Sequence, residues 1–316
     1  MAKIEIKASG FTQNYAAVNG SAKYDPSMLA LWRCMITVGM QNRPQIFTHG
    51  ISSLFYHVSS CFLTSAMVIT SGGNLCMSEL FHSIDSSEKG AISYRLGMGL
   101  SKYVVEVKLG IPWLMHVDQL RRQGVLTLQQ GSLERGDLAG PDLAGDWHVI
   151  EAKGRSNSPE ASLLTKSKNQ ASRVLSINGT APATKCASII HLAETPILCE
   201  FVDPDSDVLH PVEFEISDKD FISEYYAPIL KLARQDFQKE ISVSGMEFKV
   251  LPLTFGSYTL GIGISERIMK DTDNSISTAK ELYAKKSELE GEKFSIGLDG
   301  IIVIDMTEAV KMLKSV

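Results

Sequence analysis

The sequence predicts a mixed α/β protein. Three observations carry this: a helical hydrophobic spacing over residues 92–109, short apolar runs between about 125 and 202 bounded by Gly, Pro and Asp, and a second helical stretch at 159–175 among those runs. Around this 91–203 core, residues 1–90 read as a mainly helical accessory region and 204–316 as an α+β addition.

In chain order, Ala2 to Gly10 alternates as a short strand, and Pro26 to Val38, Ser52 to Ile69 and Leu75 to Ser83 suit helices. The Gly72-Gly73-Asn74 break falls between the last two, and Ser86 to Gly90 reads as a linker into the core. Ile92, Leu96, Leu100, Tyr103 or Val104, Val107 and Ile111 then define a long helix stopped by Gly110 and Pro112. Trp113 to Leu120 is an apolar extension whose His116 reads as a satisfied core histidine. Strands are expected at Val125 to Gln129, Leu133 to Ala139 and Trp147 to Lys153. The next helix is expected from Pro159 to Leu175, capped by Ser158, with strands at Cys186 to Leu192 and Ile197 to Val202. Beyond the core, Asp218 to Gln238 and Ser275 to Lys286 read as helices. Lys249 to Ile264 holds one or two strands, and Phe294 to Asp305 is hairpin-like.

A net charge of −5 gives no overall pull toward nucleic acid, so any such contact must rest on a local basic patch and a bound cation. Five scattered cysteines, with no Cys-x-x-Cys pair, read as reduced thiols of a cytoplasmic protein and not as a disulfide frame or zinc site. Pro44 to Ser78 contains no Asp, Glu, Lys or Arg. It is too polar for a membrane span and reads as a buried helix, or as a contact surface for a second copy or a partner protein.

The chemistry concentrates between Asp137 and Gly154. Two short strands flank a Gly/Asp/Pro turn, and the second carries Glu151 and Lys153, whose side chains share one face because they lie two residues apart. With the turn centred near Leu143 to Ala144, Asp137 falls opposite Glu151, while Asp142 lies in the turn. A one-residue slip would reverse this, so Asp142 stays as the reserve. A Glu-x-Lys triplet alone says little. Glu5-Ile6-Lys7, Glu106-Val107-Lys108 and Glu247-Phe248-Lys249 read as solvated pairs. The Glu151 triplet differs in ending an apolar run, with an aspartate at hairpin distance and a Gly-Arg-Ser turn and a helix after it.

Asp137, with Glu151-Ala152-Lys153-Gly154-Arg155, resembles the PD-(D/E)xK signature of the restriction-endonuclease-like nucleases over about a third of the chain. The family's Pro-Asp is Gly136-Asp137 here, whereas Pro141-Asp142 matches the dipeptide literally. The resemblance implies an αβββαβ core and a Mg²⁺- or Mn²⁺-dependent nuclease, expected to be an endonuclease acting on DNA. Restriction or antiviral defence is the first setting it suggests and DNA repair the next. It implies Asp137 and Glu151, with the Ala152 carbonyl, as metal ligands and Lys153 as the residue that handles the attacking water. It further implies Glu106, from the first helix, as an added ligand or water-orienting group, an ordinary Lys102–Glu106 pair being the alternative. Lys166, Gln170 and Arg155 are its expected nucleic-acid contacts. The alternative to catalysis is a non-catalytic nucleic-acid-binding or assembly protein on the same fold.

Overall fold

The computed structural model describes residues 2–38, 51–128, 136–157, 161–203, 211–236 and 239–308. They open with β1 (Ile4–Ser9), β2 (Gly20–Tyr24), α1 (Met28–Val38), α2 (Ile51–Ala66), β3 (Val68–Ser71), β4 (Asn74–Met77), α3 (Glu79–Ser83) and α4 (Ser86–Leu109). Next come β5 (Met115–His116), α5 (Val117–Arg122), β6 (Leu126–Leu128), β7 (Leu138–Pro141), β8 (Trp147–Arg155) and α6 (Ala161–Ser172). They continue with β9 (Val174–Ile177), β10 (Thr184–His191), β11 (Leu198–Val202), β12 (Val212–Ile216) and α7 (Asp218–Asp236). Last are β13 (Lys239–Val243), β14 (Met246–Phe255), β15 (Tyr258–Ser265), α8 (Glu266–Lys270), α9 (Ser275–Ala284), β16 (Phe294–Ile296) and β17 (Ile301–Asp305).

The mixed α/β class is as expected. The chain divides into two units, Met1–Pro26 with Cys34–Phe221, and Ser27–Arg33 with Ile222–Val316. In the first, a seven-stranded sheet runs β2-β1-β11-β10-β8-β7-β5, with β1/β11 and β8/β10 parallel and the other pairs antiparallel. Its central strands are apolar on both faces, as befits a sheet covered on both sides. The helices α4 and α6 both pack on β8 and β10 and make no comparable contact with each other, so they cover opposite faces.

Alternation along β8 tells which face belongs to which helix. A Cβ on Gly154 would lie 1.8 Å from the carbonyl oxygen of Ser93, and one on Gly97 would lie 2.5 Å from the amide nitrogen of Gly154. This glycine-to-glycine crossing lets α4 lie directly on β8. It also makes Ala152 and Gly154 the α4 face, leaving Glu151 and Lys153 on the α6 face. The Ser101 and Ser188 hydroxyls meet at 2.8 Å on the α4 side.

Several expectations need correction. Residues 1–90 are no separate layer: β1 lies inside the main sheet between β2 and β11. Leu75 to Ser83 is not one helix. Val68–Ser71 pairs with Asn74–Met77 as a hairpin, followed by a single short helix. The expected linker Ser86 to Gly90 is the first turn of α4, because Asp85 caps it by accepting from the Ser87 amide at 2.7 Å. The expected first core strand, β6, leaves the main sheet for a three-stranded one with β12 and β9, and β5 takes the edge beside β7. Val174 and Leu175, expected as the end of the second helix, open β9. The parts of the expected 133–139 strand up to Arg135, and the cap at Ser158 and Pro159, lie outside the described residues.

The second unit is a five-stranded antiparallel sheet, β13-β14-β15-β17-β16, whose core joins Phe248, Val250 and Ile302 to Leu282 of α9. The β16–β17 turn buries Asp299, which accepts from the Tyr225 hydroxyl at 2.5 Å and the Ile301 amide at 3.1 Å. Among the described residues, no helix is long and apolar enough to cross a membrane.

Candidate active site

The β7–β8 register determines what faces Glu151. Leu138 pairs with Ile150 and Pro141 with Trp147, so the ladder is centred on Ala144 and its next step places Asp137 opposite Glu151. Asp137 itself lies in the bend just before β7. The Asp137 Oδ2 accepts the Ala152 amide at 3.1 Å, which holds the carboxylate over the strand in place of a backbone carbonyl.

Lys153 completes the group. Its Nζ is 3.6 Å from Asp137 Oδ2 and in direct contact with Glu151 Oε1, so one ammonium reaches both carboxylates. Glu151 is fully buried, and neither of its oxygens accepts a hydrogen bond of ordinary geometry from the described residues. Burial, then the charge of Asp137, pushes its carboxyl up to about 8 despite the opposing charge of Lys153. Burial draws the Lys153 ammonium down, but the charges of Asp137 and Glu151 outweigh it and raise it above its ordinary value. Asp137 and Lys153 keep about a quarter of their side-chain surface exposed, which opens this buried carboxylate to solvent at one edge.

The other predicted residues are placed as follows. Asp142 is not part of this group. Its Oδ1 accepts from the amides of Ala144 at 2.8 Å and Asp146 at 3.0 Å, and its Oδ2 accepts from the Tyr15 hydroxyl at 3.2 Å. Its Oδ2 also lies 3.5 Å from Nε2 of buried His148, whose Nδ1 meets Thr184 Oγ1 at 2.9 Å. Burial opposes its charge, yet the bonds from His148 and the two amides hold its carboxyl below the ordinary range. Asp142 is thus engaged in closing the turn. Glu106 is buried on α4, hence on the sheet face away from Glu151 and Lys153. Among the described residues, no three His, Cys, Asp or Glu side chains form a set able to hold a metal ion. Lys166 and Arg155 are exposed on α6 and at the end of β8. Gln170 is half-buried, with Oε1 shielded and lacking a hydrogen-bond partner among the described residues. His116 is buried at the cap of α5, its Nδ1 accepting the Asp118 amide at 3.2 Å, as expected of a core histidine.

One neighbour escaped the sequence reading. Tyr94 follows Ser93, the residue in contact with Gly154, and burial together with the charges of Asp137 and Asp118 pushes its hydroxyl up to about 12. No spacing rule links positions 94 and 137; only the α4–β8 crossing does. The five cysteines are all buried. No family model, no curated protein and no solved structure matches the chain.

Proposed function

We propose that the chain is a metal-dependent nuclease that hydrolyses phosphodiester bonds, with DNA as the expected substrate, on a restriction-endonuclease-like core built from α4, β7, β8, α6 and β10. The observation that supports the reading best is the Asp137–Glu151–Lys153 group: a buried carboxylate with a raised pKa, a second carboxylate opposite it, and a lysine on the same face.

The residues fit a hard divalent cation such as Mg²⁺ or Mn²⁺. Glu151 offers buried oxygens without ordinary hydrogen-bond donors, Asp137 offers a second carboxylate beside them, and the backbone carbonyl of Ala152 is the expected third donor. When bound, such an ion supplies charge stabilisation to the phosphate and acidifies a coordinated water. The work of the chain is then local. Asp137, fixed by the Ala152 amide, and Glu151, fixed by burial, hold the anionic cradle in place. Lys153 donates toward the attacking water or the developing phosphoryl charge from a position two residues beyond Glu151 on the same strand. Lys166, Gln170 and Arg155 lie on the elements bordering that face and are the proposed contacts to the nucleic-acid backbone. A restriction or antiviral setting follows from the resemblance alone.

The test is a panel of labelled DNA and RNA, in duplex and single-stranded form, incubated with Mg²⁺, Mn²⁺ or chelator. The reading expects metal-dependent cleavage that Glu151→Ala abolishes. Cleavage by neither metal on any substrate, from folded protein, would favour the non-catalytic alternative.

A further inference from the structure

We propose that Ser167 and Gln170 of α6 are positioning residues that accept hydrogen bonds from the water shell of a divalent cation held at Asp137 and Glu151. This rests on the proposed metal site and adds the form in which the metal binds: largely hydrated, with few direct bonds to the protein.

Buried polar atoms that lack a partner gather between α6 and the sheet. Both oxygens of Glu151, the Ser167 Oγ and the Gln170 Oε1 are shielded from solvent without a hydrogen bond of ordinary geometry among the described residues. Unpaired buried acceptors are costly, so several in one layer call for an occupant. Ser167 is fully buried in α6, which packs on β8 and β10 over the face that carries Glu151 and Lys153. Half-buried Gln170 follows three residues later on the flank of that inward stripe. In the right-handed sense taken by connections between parallel strands, such a position turns toward the first strand, here β8. Ser167 also departs from the usual habit of helix hydroxyls. Those of Ser60, Thr64 and Ser65 bond back to the carbonyl four residues earlier, at 2.7, 2.7 and 2.9 Å, whereas Ser167 makes no such bond.

The chemistry of the set names its occupant. An ionised Glu151 and the Gln170 Oε1 can only accept hydrogen bonds, and a serine hydroxyl is able to. An occupant that presents donors alone fits such a lining. Water bound to a cation turns its lone pairs to the metal and its hydrogens outward, and Mg²⁺ keeps several such waters in its octahedral shell. The ligand count agrees. Among the described residues no three His, Cys, Asp or Glu side chains come together, so Asp137 and Glu151 leave most positions of the ion to water. The Lys153 ammonium does not fill this role, because it reaches Asp137 and Glu151 but bonds neither the Ser167 hydroxyl nor the Gln170 Oε1.

The experiment is calorimetric titration of the full chain with Mn²⁺, paired with thermal melting in chelator. It compares wild type, Ser167→Ala, Gln170→Leu and Gln170→Glu, the last keeping an acceptor at its position. We expect Gln170→Leu to weaken Mn²⁺ binding about tenfold, Ser167→Ala to weaken it less, and Gln170→Glu to bind at least as tightly as wild type. In chelator, Gln170→Leu should melt at or above wild type, because it removes an unpaired buried acceptor. A merely structural glutamine would show the reverse: a lower melting temperature with Mn²⁺ affinity unchanged. Wild-type affinity in both Gln170→Leu and Ser167→Ala overturns the inference. Equal weakening by Gln170→Leu and Gln170→Glu also overturns it, since shape and not the acceptor would then matter. Cleavage assays on the same preparations separate the two readings. Mn²⁺-dependent cleavage by wild type with unaltered affinity in the variants fails this inference alone. Weakened affinity in the variants, with no cleavage of any substrate by wild type, fails the nuclease reading alone. A wild type that binds no Mn²⁺ overturns both.

Discussion

Asp137, one residue before β7, and Glu151 of β8 share the ammonium of Lys153, which reaches both carboxylates. Burial, and then the charge of Asp137 beside it, raises the Glu151 carboxyl to about 8. That shift gives the metal-free protein a definite pH response.

Between the ordinary glutamate value of 4.5 and about 8, the folded chain holds one proton more at Glu151 than the unfolded chain. Stability therefore falls as pH rises through this window and levels off above it. Thermal melting in chelator from pH 5 to 9 should show a declining Tm for wild type and a flatter profile for Glu151→Gln. Millimolar Mg²⁺ or Mn²⁺ should raise the wild-type Tm more at pH 8 than at pH 6, because the cation competes with that proton. A wild-type profile no steeper than that of Glu151→Gln would contradict the assignment.

The two aspartates should separate cleanly. Asp137→Ala is expected to lose at least about 100-fold in metal-dependent cleavage while melting near wild type. Asp142→Ala should keep its activity but lose about 1–3 kcal/mol, since it strips acceptors from Tyr15 and two turn amides. Parallel rate and melting measurements decide it, and the reverse pattern would show that the turn aspartate is the working one.

Gly154 should tolerate no side chain. Alanine there would drive a methyl to 1.8 Å from the Ser93 carbonyl, so α4 or β8 must shift. We expect a loss of about 1–3 kcal/mol and reduced activity through displacement of neighbouring Lys153. Unchanged melting of Gly154→Ala would show that the crossing is looser than described.

Glu106→Gln should leave metal-dependent cleavage within a few-fold of wild type, because α4 covers the face that Glu151 does not share. A loss as large as that of Asp137→Ala, with the fold intact, would restore Glu106 to the site.

The site was more legible in the sequence than the sheet around it. The apolar run Trp147 to Ile150 and the Gly/Asp/Pro turn together set the hairpin register, and register decides which side chains share a face. By contrast, β1 joins β11 across far more chain than the 91–203 core contains, Ile6 pairing with Cys199, and β6 pairs with β12 in preference to β7; neither choice leaves a local trace. The β3–β4 hairpin did carry a signal. Gly72 and Gly73, both with positive φ, form the two-residue turn that a Gly-Gly between apolar runs announces, but the flanking residues also fit helical spacing. Helical spacing put Glu106 on a stripe of its helix, but it does not say which face of a sheet that stripe covers.

The central claim is that Glu151 and Lys153 serve phosphodiester cleavage. The most direct measurement is single-turnover cleavage of labelled single-stranded and duplex DNA with Mn²⁺ by wild type, Glu151→Gln and Lys153→Met, in one set of preparations matched by thermal melting. The account predicts cleavage by wild type that chelator stops, and a fall of at least about 100-fold in both variants. Wild-type rates in either folded variant, or cleavage indifferent to chelator, would contradict it.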